Sequence, residues 1–117
     1  MSVLAKNKKA YHDYEILEEY EAGIALKGYE VKAAKLKHLN LKGSYVSLRG
    51  KGGLAELYLV NAHIGFYVHA GDMGDYDPYR ARKLLLKKKE IQRLVGKTAE
   101  KGLTLVPLKM YTKHNLI

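Results

Sequence analysis

Apolar residues recur at helical spacing in one part of this chain and alternate with polar ones in several others. Ile91, Leu94, Val95, Thr98 and Ala99 fall at i, i+3, i+4, i+7 and i+8, which predicts a helix with one buried face inside Arg80–Gly102. Its other face carries Lys89, Arg93, Lys97 and Lys101 in steps of four, a basic stripe about 18 Å long. Gly102 suits the C′ stop. A solvated face looks the same, so the use of this stripe depends on the rest of the chain.

Elsewhere the period is two. Tyr14, Ile16, Tyr20, Ala22, Ile24 and Leu26 alternate with Glu15, Glu19 and Glu21, predicting a half-buried strand with Glu18 intruding on its apolar side and Gly23 as a bulge. Two strands, Ser44–Arg49 and Leu54–Asn61, flank the GKGG at 50–53, which reads as a hairpin turn. Asn61–His69 continues extended. Leu103–Thr112 is a last β-rich run in which Pro107 belongs at an edge or bulge. Gly28–Leu39 reads as a short helix on the spacing of Val31 and Ala34 and the helix-favouring Ala33 and Ala34. Ser2–Tyr14 admits one short helical turn or a frayed terminus, and Ala70–Tyr79 is the longest loop. Antiparallel strands with short turns and about three helices predict a mainly β domain, a small OB-like antiparallel barrel.

Length and charge narrow the function. The 117 residues suit one domain. Twenty-one Lys and Arg against twelve Asp and Glu give +9, which makes a polyanion the leading partner. The amphipathic helix lacks the Trp or Phe that would insert into a lipid surface. No run approaches the ~20 apolar residues of a membrane span, and Met1–Lys9 has no signal-peptide core, so a cytoplasmic location is expected. The absence of cysteine removes disulfides, thiolate chemistry and Cys-type zinc sites.

Catalytic motifs are weak. IQRLVGKT (91–98) ends like a phosphate-binding loop, but Ile91 stands where its first glycine belongs and the helix already uses these N–H groups. The histidines 12, 38, 63, 69 and 114 lack metal spacing: His63 and His69 would sit ~20 Å apart on an extended strand. Asp72, Asp75 and Asp77 lack the terminal Glu of a calcium loop. Glu18, Glu19 and Glu21 have no opposed catalytic partner, and an enzyme is not expected. Neither a metal nor a cofactor is expected.

Binding residues are abundant. Ten tyrosines against one Phe and no Trp supply faces for base stacking together with phenolic hydrogen bonds. Tyr14, Tyr20 and Tyr58 are expected in structural roles and Tyr11, Tyr45, Tyr76 and Tyr79 within reach of a ligand. Cations spread over the N-terminal arm (Lys8, Lys9), the first helix (Lys32) and the loop exit (Arg80, Arg82, Lys83) favour structured RNA over a single-stranded track.

Five blocks carry a resemblance: NKKAYHDYEILEEYEAGIALKGYEVK (7–32), NLKGSYV (40–46), NAHIGFY (61–67), DPYRARKLLLKKKEI (77–91) and GLTLVPLKMY (102–111). In order and spacing they resemble the SsrA-binding protein (small protein B) family, the tmRNA partner of bacterial ribosome rescue. The resemblance implies an oblong OB-like barrel with three helices that binds the tRNA-like domain of tmRNA on its D-loop side. With elongation factor Tu it would enter the A site of a stalled ribosome; alanyl-tRNA synthetase would be met only through tmRNA. It implies RNA contacts at Asn7, Lys9, His12 and Glu21, and a second set at Leu85 and Lys87. Lys87 replaces a His or Asn more common in the family, which turns a hydrogen-bonding role into a phosphate contact; Tyr29 and Ala33-Ala34-Lys35 also depart from the pattern. Family members usually continue past the Tyr111 region through another strand, a Gly-Lys-Lys segment and a basic tail. A chain ending at Ile117 is therefore expected to keep some tmRNA binding and to fail in tagging. The alternative is a ribosome-associated structural protein with a general RNA-binding barrel.

Overall fold

The structure, a computed structural model, describes residues 2–50, 54–67, 71, 74–100, 102–113 and 117. Residues 51–53 of the expected hairpin turn, His69, Asp72, Lys101 and His114 lie outside the described residues. The elements run β1 (Ser2–Lys6), α1 (Lys8–Asp13), β2 (Gly23–Ile24), α2 (Gly28–Lys35), β3 (Leu39–Asn40), β4 (Tyr45–Arg49), β5 (Glu56–Val60), β6 (His63–Ile64), β7 (Arg82–Leu85), α3 (Lys88–Thr98) and β8 (Lys109–Thr112).

β5 is the centre of the largest sheet because its alternation is the cleanest. Leu57 and Leu59 are buried while Glu56, Tyr58 and Val60 are half-buried. β4 pairs with it antiparallel, setting Arg49 opposite Glu56 and Tyr45 opposite Val60. Gly50 closes this hairpin at φ 84°, with the Leu54 carbonyl only 2.7 Å from where a Cβ would sit, so glycine is required there twice over. β7 pairs with the other side of β5, and β2 with β7, giving the order β2-β7-β5-β4. Two further antiparallel pairs, β1–β8 and β3–β6, complete the strands. All three sheets feed one core: Leu59 of β5, Met110 of β8, Leu41 and Ala62, flanked by Ala5, Ile24, Leu39 and Leu84. Among the described residues the ladders form three separate sheets and not the closed barrel that was expected.

Both longer helices carry Glu at N3. The Glu30 carboxylate accepts the Lys27 N–H at 2.8 Å and Glu90 the Lys87 N–H at 3.1 Å, each satisfying an orphan donor of the first turn. Ala33 and Ala34 of α2 are fully buried, which lets its backbone approach the body closely. On α3 Leu94 is buried and Ile91, Val95 and Thr98 half-buried, while Ala99 is exposed. α3 ends at Thr98 with Ala99 as its cap. Gly102, at φ 87°, lies in the next turn, where the Leu103 N–H meets the Glu100 carbonyl at 3.4 Å, so it is not the C′ residue.

Other expectations need correction. The N-terminus is not frayed, since β1 pairs with β8 before α1 forms the short helical turn. The strand expected over Tyr14–Leu26 shrinks to Gly23–Ile24, the two residues facing Leu85 and Leu84 of β7. Alternation marks a face, but a ladder needs a neighbour, and Leu17, 65% exposed, has none in any ladder. Gly23 is paired in register and makes no bulge. The helix expected to Leu39 stops at Lys35, and Leu39–Asn40 is β3. Of the described residues of Asn61–His69 only β6 is in a ladder. Pro107 precedes β8, its carbonyl accepting the Asn7 side-chain N–H at 2.9 Å.

Candidate nucleic-acid interface

β7 turns alternate residues in and out, and this settles which cations can meet a ligand. Arg82 points inward and is fully buried, whereas Lys83 and Leu85 point outward, Leu85 with 51% of its surface exposed. Inside, the Arg82 guanidinium is saturated: Nε and Nη2 donate to Glu30 Oε2 at 2.9 and 2.7 Å. Nη1 donates to the Ala62 carbonyl at 2.7 Å and Nη2 to the Pro78 carbonyl at 3.0 Å. Arg82 was expected to touch RNA; its charge instead serves the interior. Arg80, half-buried, also donates through its guanidinium to Glu30.

The Tyr76 hydroxyl completes the cluster, donating to the Ile64 carbonyl at 2.8 Å and accepting from Arg82 Nη2 at 2.9 Å. Burial, with the Glu30 charge beside it, pushes this phenol up to about 12. Tyr76, expected within reach of a ligand, is thus buried, while Tyr11, Tyr45 and Tyr79 are exposed. Burial would raise Glu30, but the hydrogen bonds from Arg80, the Lys27 N–H and Arg82 outweigh it and hold the carboxyl below its ordinary value.

On the outer face one residue of the first expected group, Glu21, lies beside the second, Leu85 and Lys87. Gly23 lies opposite Leu85, and a Cβ on Gly23 would stand 3.3 Å from Leu85 Cβ, so a larger residue there would press on Leu85. Glu21, Lys83, Leu85 and Lys87 line one open depression of about 570 Å³, with Glu56 and Glu90 at its side. Lys83 Nζ is 2.7 Å from Glu56 Oε2, a hydrogen bond that raises the lysine. Glu21 accepts the Tyr111 hydroxyl and the Lys113 ammonium at 3.3 Å. The Tyr111 hydrogen bond, with Lys113 second, lowers its pKa, so Glu21 stands ionised as an acceptor.

α1 is tied through Asn7 to the Pro107–Leu108 segment that leads into β8, whose Tyr111 holds Glu21. Asn7 is buried, and its Oδ1 caps α1 by accepting the Ala10 N–H at 3.3 Å while its backbone N–H donates to the Leu108 carbonyl at 2.7 Å. Expected as a contact, Asn7 instead fastens α1, leaving Lys8, Lys9 and His12 exposed. Lys32 is exposed on α2, outside this depression, with its ammonium 5.5 Å from the Tyr67 ring centre. The α3 stripe meets Glu18, whose Oε1 is 3.5 Å from both Arg93 and Lys97; Glu18 therefore faces that stripe and does not interrupt a buried strand face. Sequence reasoning missed Glu30, Glu56 and Lys113. Only the N3 position of Glu30 was a local signal, and it pointed to a cap.

A larger cavity, about 860 Å³, is an apolar groove between the 14–24 and 102–111 segments, floored by Leu41, Leu57, Leu59 and Leu84. Among the described residues no helix is long and apolar enough to cross a membrane.

Comparison with known proteins bears on the whole chain. The "SsrA-binding protein" of Carboxydothermus hydrogenoformans is 55% identical over 113 residues, covering 97% of this chain and 72% of that protein. That of Caldicellulosiruptor saccharolyticus is 50% identical over 117 residues, covering 100% and 71%. A solved structure described as "tmRNA-SmpB: a journey to the center of the bacterial ribosome" superimposes with a TM-score of 0.70 at 52% identity, covering 93% of this chain and 73% of that one. The sequence pattern described as "SmpB protein" matches residues 4–117, and the chain belongs to that family.

Proposed function

We propose that the chain binds the tRNA-like domain of tmRNA, on its D-loop side, and brings it to stalled ribosomes. One observation carries the residue-level reading: Glu21, Lys83, Leu85 and Lys87, drawn from segments far apart in sequence, line one depression. In this reading Lys87 and the exposed α1 cations Lys8 and Lys9 take phosphates, which supply charge but little sequence information. Ionised Glu21 accepts from base or ribose donors, and Leu85 packs on the sugar or base surface. Arg80, Arg82 and Asn7 hold these elements in place. Elongation factor Tu and alanyl-tRNA synthetase are engaged through tmRNA, and the chain acts as a cytoplasmic adaptor, not an enzyme. The shared core of the three sheets supports taking them as arcs of an OB-like barrel.

The test is competition binding at ~150 mM salt, where non-specific charge contacts weaken. The tRNA-like domain of tmRNA should displace a labelled copy of itself far better than elongator tRNA or an rRNA fragment does. Equal competition by all three would replace this reading with that of a general RNA-binding protein.

A further inference from the structure

The depression that holds Glu21, Leu85 and Lys87 is not a basic pocket. On a chain of net charge +9, its lining carries two lysines, Lys83 and Lys87, against three glutamates, Glu21, Glu56 and Glu90. Two of these carboxylates are engaged elsewhere: Glu21 by Tyr111 and Lys113, and Glu90 by the Lys87 N–H at the head of α3. Glu56 instead turns to a cation of the depression itself, with its Oε2 2.7 Å from Lys83 Nζ.

Strand register explains the contact. With Leu57 and Leu59 buried, β5 turns Glu56 and Tyr58 to the outer face. Lys83 of β7 stands opposite Tyr58, so Glu56, two positions back along β5, lies on its diagonal, within reach of a long side chain. Arg49 stands directly opposite Glu56 in the β4–β5 ladder, yet its guanidinium lies 4.4 Å from the Tyr58 ring centre. The carboxylate's ion pair is with the β7 lysine.

That pair does little for the fold. The two side chains are 48% and 43% exposed, where an ion pair adds little stability. In an RNA site it opposes binding, because Glu56 occupies the ammonium and repels phosphate. A phosphate that reaches Lys83 must displace Glu56. The carboxylate only accepts hydrogen bonds, so it then faces a second anion unless the ligand also donates to it. Ribose hydroxyls and base amines are such donors.

We propose that Glu56 is a specificity-determining residue of the depression. It withholds Lys83 from phosphates in general and releases it to an RNA that places a ribose hydroxyl or base amine against the freed carboxylate. An unrelated RNA of the same charge therefore meets one cation fewer, and discrimination comes from a contact denied to the wrong ligand. This inference rests on reading the depression as the RNA site.

The test compares the tRNA-like domain of tmRNA with elongator tRNA in titrations from about 50 to 200 mM salt, using the parent, Glu56→Gln and the double variant Glu56→Gln/Lys83→Gln. In Glu56→Gln, elongator tRNA should bind about fivefold more tightly, with a slope of log K against log salt steeper by about 0.9, the share of one added phosphate contact. The tRNA-like domain, which already has Lys83 in its complex, should gain neither affinity nor slope. The double variant should return elongator tRNA to its parental affinity. A variant that binds more tightly cannot owe the change to unfolding. An equal gain for both RNAs, no gain for elongator tRNA, or a gain that survives in the double variant would each overturn the proposal, the first and last by reducing Glu56 to a general negative charge. A parent that binds both RNAs equally would instead overturn the reading of the depression, and this inference with it.

Discussion

Arg82 and Glu30, 52 positions apart, meet through two hydrogen bonds of 2.9 and 2.7 Å onto one carboxylate oxygen, with both side chains wholly removed from solvent. The pair joins α2 to β7 and, through the Ala62 and Pro78 carbonyls, to the segments on either side of β6. Because Arg82 is held inward, the alternation of β7 carries Lys83 and Leu85 outward.

Removing one partner strands the other in the interior. Glu30→Ala should cost about 3–5 kcal/mol of stability, measured by urea denaturation. Arg82→Lys should recover little of the loss, since an ammonium cannot span the carboxylate and two carbonyls as a planar fork does. A loss below about 1 kcal/mol, the usual value of an exposed pair, would show that the cluster does not hold the fold.

Glu30 also sets an acid limit. Its folded pKa lies below the ordinary 4.5, so its contribution is fully present above 4.5 and is lost as the pH falls through the folded value. Stability should hold from neutrality down to the ordinary glutamate range and decline below it. In Glu30→Gln that decline should be shallower, from a lower starting stability; parallel profiles of the two proteins would remove Glu30 from the acid transition.

Tyr76 limits the alkaline side. Its phenol is raised from 10 to about 12, so the stability it gives is complete below 10 and is lost as the pH rises through 12. The phenolate absorbance missing from Tyr76→Phe should appear in the parent only near the upper value. Its appearance near 10 would mean that the hydroxyl is open to water.

Leu85 separates binding from folding. Half-exposed, it should cost less than about 0.5 kcal/mol of stability when cut to Ala, yet lose about tenfold in affinity for the tRNA-like domain if RNA covers it. Calorimetric titration beside a melting curve reads both. Unchanged affinity would take Leu85 out of the interface.

Local periodicity was enough to place α2, α3 and the β4–β5 hairpin, since each is set by side chains within a few residues of one another. Net charge was equally legible, being a sum, and the family blocks pointed to Glu21, Leu85 and Lys87 as expected contacts. The sequence did not show which members of that set face out. Arg80 and Arg82 read like any basic pair, and Asn7 like any polar residue of an arm, until Glu30 and Pro107 arrive from 50, 52 and 100 positions away. The 14–22 segment alternates as a strand should, but strand formation depends on a partner edge, and β7 meets the chain only from Gly23 onward, at Gly23, Ile24 and the Ala25 N–H. By itself the sequence determined the local elements, the charge and the family. The tertiary structure alone decided which charges are spent inside and which remain at the surface, because burial and hydrogen-bond saturation are properties of contacts between distant parts of the chain.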